Sequence, residues 1–118
     1  MRVPKGVNKE LAFEVALFAA GASEIALCHR KPILLTVLLA VTAIIAMAFW
    51  RKSHVVCFYL VGAVVGPCGE MICIRSGAWA YANPTFLTIP LWLPLAWGLV
   101  TVLIKGIVDT SAKFRTAS

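Results

Sequence analysis

Residues 33–50, ILLTVLLAVTAIIAMAFW, run for eighteen positions without a single charge. A run of that length matches a helix crossing a hydrocarbon core of about 30 Å. It is closed by His29-Arg30-Lys31-Pro32 before it and Arg51-Lys52-Ser53-His54 after it. Pro32 suits the first position of a helix, where its missing N–H is not needed. Thr36 and Thr42 can bond back to their own helix. A chain with such a segment is organised by lipid.

The remainder follows the same rule. Hydrophobic residues make up 61% of the 118 positions and charged ones 14%, against about 45–50% and about 25% in soluble domains. Further spans are expected at about 10–28, 55–74 and 85–104. The expected fold is therefore all-α, a polytopic integral membrane protein with four transmembrane helices in one domain, 1–118. The span 10–28 carries Glu10, Glu14 and Glu24. Glu10, Glu14 and Gly21 share a face that can line a bundle interior. The alternative is three spans plus an interfacial helix. Surface helices carry Lys and Arg on their polar face, however, and this one carries acids. Asn8 is placed to cap it. Residues 1–9 lack the features of a cleaved signal peptide.

The formal charge of +6 sits in short basic groups at the ends of apolar runs. Lys and Arg there anchor to headgroups, and no groove-reading or base-stacking module accompanies them. With four spans, one side of the membrane holds Arg2, Lys5, Lys9, Arg51, Lys52, Lys105, Lys113 and Arg115, and the other holds Arg30, Lys31 and Arg75. The basic excess marks the cytoplasm, so both termini are expected there, in the cell (inner or plasma) membrane. Three spans would give a near-even division. The tail after Lys105 is expected to fray.

The chemistry-bearing stretch is Gly66 to Gly98, GPCGEMICIRSGAWAYANPTFLTIPLWLPLAWG. Glu70 lies inside the third apolar run, where an ionised carboxylate costs at least about 2.5 kcal/mol and therefore faces protein or water. Gly62, Gly66, Glu70, Cys73 and Gly77 fall at helical spacings of three and four. Small residues on such a stripe admit a second helix, so Gly62, Gly66, Cys73 and Gly77 are candidate packing residues. Pro67 removes one backbone hydrogen bond and should kink the helix before Glu70. Asn83-Pro84 reads as a helix start, with Pro90 and Pro94 interrupting its first turns.

Glu70 has two readings. It is a structural acid paired with Arg75, Arg30 or a tyrosine hydroxyl, or it is a proton, cation or ligand site. The first is favoured, because no second titrating partner stands nearby. Trp79, Tyr81, Trp92 and Trp97 are interfacial anchors in one reading and the wall of a site for a pigment, quinone or lipid chain in the other. The candidate buried polar or ligand site is thus Glu70, Arg75, Trp79, Tyr81, Asn83, Trp92 and Trp97, with Glu14 in the first span. The four cysteines, Cys28, Cys57, Cys68 and Cys73, form no CxxC pair and read as packing residues. No phosphate loop, dinucleotide fingerprint, nucleophile elbow or zincin motif is present. His29 and His54 lie at opposite ends of the second span and cannot share a metal.

The pattern GExxxxRxGAWxYxNPxxxxIPxWLPLxWG, carried here from Gly69 to Gly98, resembles a group of small prokaryotic four-helix membrane proteins to which no activity attaches. A weaker likeness links Glu14, four spans and the short length to the small multidrug resistance transporters. In that family one such glutamate exchanges protons for cations. The chain departs from it in the third span, in the proline-rich start of the fourth, and in the added Glu24 and Glu70.

The expectation is a non-catalytic membrane protein, rather than an enzyme, that packs with itself or with a larger membrane complex. A small proton-coupled transporter is one alternative. A membrane-embedded enzyme or binding protein for a lipid, isoprenoid or pigment is the other. No cofactor is expected, though a bound lipid or pigment is compatible. The expected partners are the bilayer and protein subunits, not nucleic acid.

Overall fold

The computed structural model describes residues 6–81, 84 and 88–117. They form four helices: α1 (Val7–Cys28), α2 (Pro32–Trp50), α3 (Ser53–Arg75) and α4 (Leu93–Ala117). All four contain stretches long and apolar enough to cross a membrane. At about 1.5 Å per residue the shortest, α2, reaches nearly 30 Å. The molecule measures 48 × 27 × 25 Å. It is an all-helical membrane protein.

The chain runs up and down. α2 and α4 each touch the other three helices, whereas α1 and α3 lie apart from one another. The starts of α1 and α3 meet the ends of α2 and α4: Phe13 stacks on Phe49 at 3.8 Å, and Lys105 sits 5.5 Å from the Phe58 ring. We call this the terminal end, and the opposite one, which carries the α3–α4 connection, the loop end.

Burial is inverted relative to a water-soluble bundle. Val15, Phe18, Leu27, Ile33 and Ile44 are each at least 65% exposed, while Glu14 is 3% exposed. In lipid this costs nothing for the apolar groups and shelters the acid. It also answers the interfacial alternative for α1, whose acid would then turn to water rather than to α4. The core is thin: Leu17, Leu35, Leu39, Ala43, Ala46, Ile89, Trp92, Leu93, Ala96 and Leu99. Its alanines let α2 and α4 approach closely.

Three boundaries differ from the sequence expectation. The fourth helix begins at Leu93, not near residue 85. Pro90 cannot join an ongoing helical ladder, whereas Pro94 falls in the first turn, where its missing N–H is tolerated. The same helix continues to Ala117 instead of fraying after Lys105. A Lys105–Asp109 pair one turn apart supports it, and so do contacts from Thr110 and Lys113 to α1. α1 starts at Val7 after a left-handed Gly6, so Asn8 lies inside it and does not cap it. Pro32 opens α2, and Thr36 and Thr42 bond back to Pro32 and Leu38 at 2.6 and 2.9 Å. α3 continues through Pro67.

Candidate functional site

The α3–α4 interface is built by glycines. A methyl group added to Gly62 would collide with Thr101, and one added to Gly66 with the indole of Trp97. The relation is reciprocated from α4. A Cβ on Gly98 would lie 2.6 Å from the ring of Tyr59, whose hydroxyl donates to the Leu95 carbonyl at 3.1 Å. Gly77 has a different role from the helix packing expected of it. Its φ is +88° and nothing lies within 4 Å of its Cβ position. Its N–H reaches the Ile74 carbonyl at 3.1 Å and that of Ala78 reaches Cys73 at 3.0 Å. This is a Schellman cap, which turns the chain back across the end of α3.

Glu70 stands four residues after Gly66. Its Oε1 accepts from the Tyr81 hydroxyl and its Oε2 from the Trp97 indole N–H. Trp92, buried in the core, meets Tyr81 edge-on at 6.3 Å. Burial, then the hydrogen bond to Glu70 and the charge of that carboxylate, push the Tyr81 phenol above its ordinary range. The structure thus joins Glu70, Tyr81, Trp92 and Trp97. Arg75 is exposed, and among the described residues no ion pair links it or Arg30 to Glu70. Of the three structural partners considered from sequence, the tyrosine hydroxyl is the one in place. Asn83 lies outside the described residues. Trp79, about half exposed, edges a groove along α3 with Gly69, Cys73 and Trp97.

Glu14 occupies a second centre at the terminal end. Thr110 Oγ1 lies 2.6 Å from Glu14 Oε1, 3.1 Å from Glu10 Oε2 and 2.9 Å from the Gly106 carbonyl. A hydroxyl has one proton, so it serves only one of these three acceptors at a time. Lys113 pairs with Glu10. Glu14 Oε2 is buried with no hydrogen-bond partner. The ring of Trp50 rests on Gly106, where an added Cβ would lie 2.7 Å from it and 3.2 Å from Glu14 Oε1.

A third acid, Glu24, accepts from Thr42 at 2.7 Å. Sequence reasoning missed the threonine and lysine partners, Thr42, Thr110 and Lys113. Thr110 is 96 positions from Glu14. The available signal was that Glu10 and Glu14, one turn apart, need a matching polar pair, which Thr110 and Lys113 supply at a spacing of three. Compared with protein-family models, with curated proteins and with solved structures, the chain matches none of them.

Proposed function

We propose that this is a small non-catalytic membrane protein, an accessory subunit that packs with itself or with a larger membrane complex. We place it in the cell membrane with both termini on the cytoplasmic side. The observation that carries the reading is the state of Glu70. Both of its oxygens are occupied by fixed donors of the same chain. A carboxylate held this way by Tyr81 and Trp97 ties the connection to α3 and α4, which gives the acid a structural role without any substrate. The thin core supports assembly, and the basic excess at the terminal end supports the orientation. Purification in mild detergent tests the proposal. The expected result is an oligomer or a co-purifying subunit. A monomer that drives proton-coupled export from vesicles would overturn it.

That last outcome is the second reading, a small proton-coupled transporter, and one observation favours it: the unpartnered buried oxygen of Glu14.

A further inference from the structure

At the terminal end a cleft of about 530 Å³ opens between the start of α1 and the end of α2. Three cations border it: Lys9, Arg51 and Lys52. All three are exposed, and none has an ion-pair partner among the described residues. The acid at the rim, Glu10, is engaged by Lys113 and Thr110. Three like charges therefore share one cleft with a single acid, which is itself paired with Lys113, an excess of positive charge that favours an entering anion.

The cleft is also shaped. Arg51 adopts a left-handed backbone, with φ of 51°, which non-glycine residues seldom do. That conformation places its N–H on the Met47 carbonyl at 2.9 Å and its side-chain Nε on the Ala48 carbonyl at 3.0 Å. The guanidinium is anchored through one nitrogen, and its terminal nitrogens are left for a ligand. Gly6, at the start of α1, completes the rim and brings the positive pole of that helix to the cleft.

The floor is apolar. Ala48, Phe49 and Trp50 form it, and the stack of Phe13 on Phe49, with Trp50 edge-on to both, holds it rigid. Below it along α2, Ile45 and Ile44 face outward into lipid. A ligand that meets cations at its head and a continuous apolar strip below has a phosphate and acyl chains. We propose that this cleft is a binding site for one anionic phospholipid, with the phosphate between Lys9, Arg51 and Lys52 and the chains descending along the outer face of α2.

The site is independent of what the protein assembles with. It is tested with the full chain purified in a nonionic detergent and titrated with phosphatidylglycerol or phosphatidylcholine, bound lipid being counted by native mass spectrometry. One phosphatidylglycerol per chain is expected to bind in preference to phosphatidylcholine. The double variant Arg51→Gln/Lys52→Gln should weaken it by about tenfold or more, since each cation near a headgroup contributes appreciably. Arg30→Gln/Lys31→Gln removes the same charge from the loop end and should leave binding unchanged. Equal loss in the two double variants, or equal binding of the two lipids, would overturn the site in favour of diffuse attraction. Displacement of the lipid by glycerol phosphate at matching concentration would overturn the lipid assignment in favour of a free phosphate. Helicity is checked by circular dichroism. Should the Arg51/Lys52 variant fail to fold, Lys9→Gln, on a different helix, must weaken phosphatidylglycerol binding on its own for the proposal to stand.

Discussion

Each end of this bundle holds an acid beside a tryptophan that rests on a glycine. At the loop end these are Glu70, Trp97 and Gly66; at the terminal end, Glu14, Trp50 and Gly106. The two differ in their supply of protons. Glu70 has two oxygens and two donors. Glu14 shares a single hydroxyl with Glu10 and a backbone carbonyl, and one of its oxygens has no partner. A carboxylate with a donor on each oxygen is tied into the framework, whereas one with a buried oxygen left unpartnered is a group the fold tolerates at a cost. Burial and donor supply thus run in opposite directions: the more buried acid, Glu14, has the fewer donors, and the half-buried Glu70 has one on each oxygen.

The largest expected effect comes from disturbing the glycine that seats Trp97. Gly66→Leu drives a side chain into the indole and pulls its N–H away from Glu70, so overpacking and a lost hydrogen bond combine. We expect a loss of about 3 kcal/mol or more in reversible unfolding in detergent. Val64→Phe, at a position 62% exposed to lipid, should change stability by less than about 0.5 kcal/mol. Equal losses would remove the glycine face from the account.

A second pair of variants probes the acids themselves. Glu70→Gln keeps one acceptor but turns an amide NH2 toward a second donor, so we expect about 1–3 kcal/mol of destabilisation. That is less than breaking an ion pair with an arginine would cost, because both partners are neutral. Glu14→Gln retains an acceptor for Thr110 and needs no counter-charge, and should alter stability by less than about 1 kcal/mol or raise it. The same unfolding measurement decides, and a reversed order would invert the comparison.

The smallest effect is spectroscopic. In a Tyr59→Phe background Tyr81 is the remaining tyrosine. Its phenol is raised in the folded state, so its contribution to stability is present below the ordinary tyrosine pKa of about 10 and is lost as pH rises through the folded value. Ultraviolet titration should show phenolate forming late, and Glu70→Gln should bring it earlier by removing the carboxylate charge. An unchanged midpoint would mean that burial alone sets it.

Much of this was legible in the residues. The uncharged run gave α2 with both ends, and the spacing of Gly62 and Gly66 gave the face of α3 that meets α4. Glu70 was recognisable because a carboxylate in an apolar run must have a partner. Its partners were less so: Arg75 is nearer in sequence than Trp97, but the Schellman turn at Gly77 points the chain so that Tyr81 returns while Arg75 stays outside. The onset of α4 was misplaced because Asn83-Pro84 carries a local start signal that Pro90 overrides. The Glu14–Thr110 contact was hidden by its sequence separation, since helical periodicity orders faces within a helix but does not pair faces between helices.

The reach of Glu70 also bears on how the chain is made. Its two donors come later in synthesis, 11 and 27 residues downstream. While α3 is entering the bilayer, the Trp97 indole has not yet arrived, and a bare carboxylate there costs at least about 2.5 kcal/mol. α3 has the length and apolarity of a span by itself, and α4 adds the donor that satisfies its acid. The acid of the third helix is thus completed by the fourth, and the two are joined as a hairpin by a contact that neither makes alone.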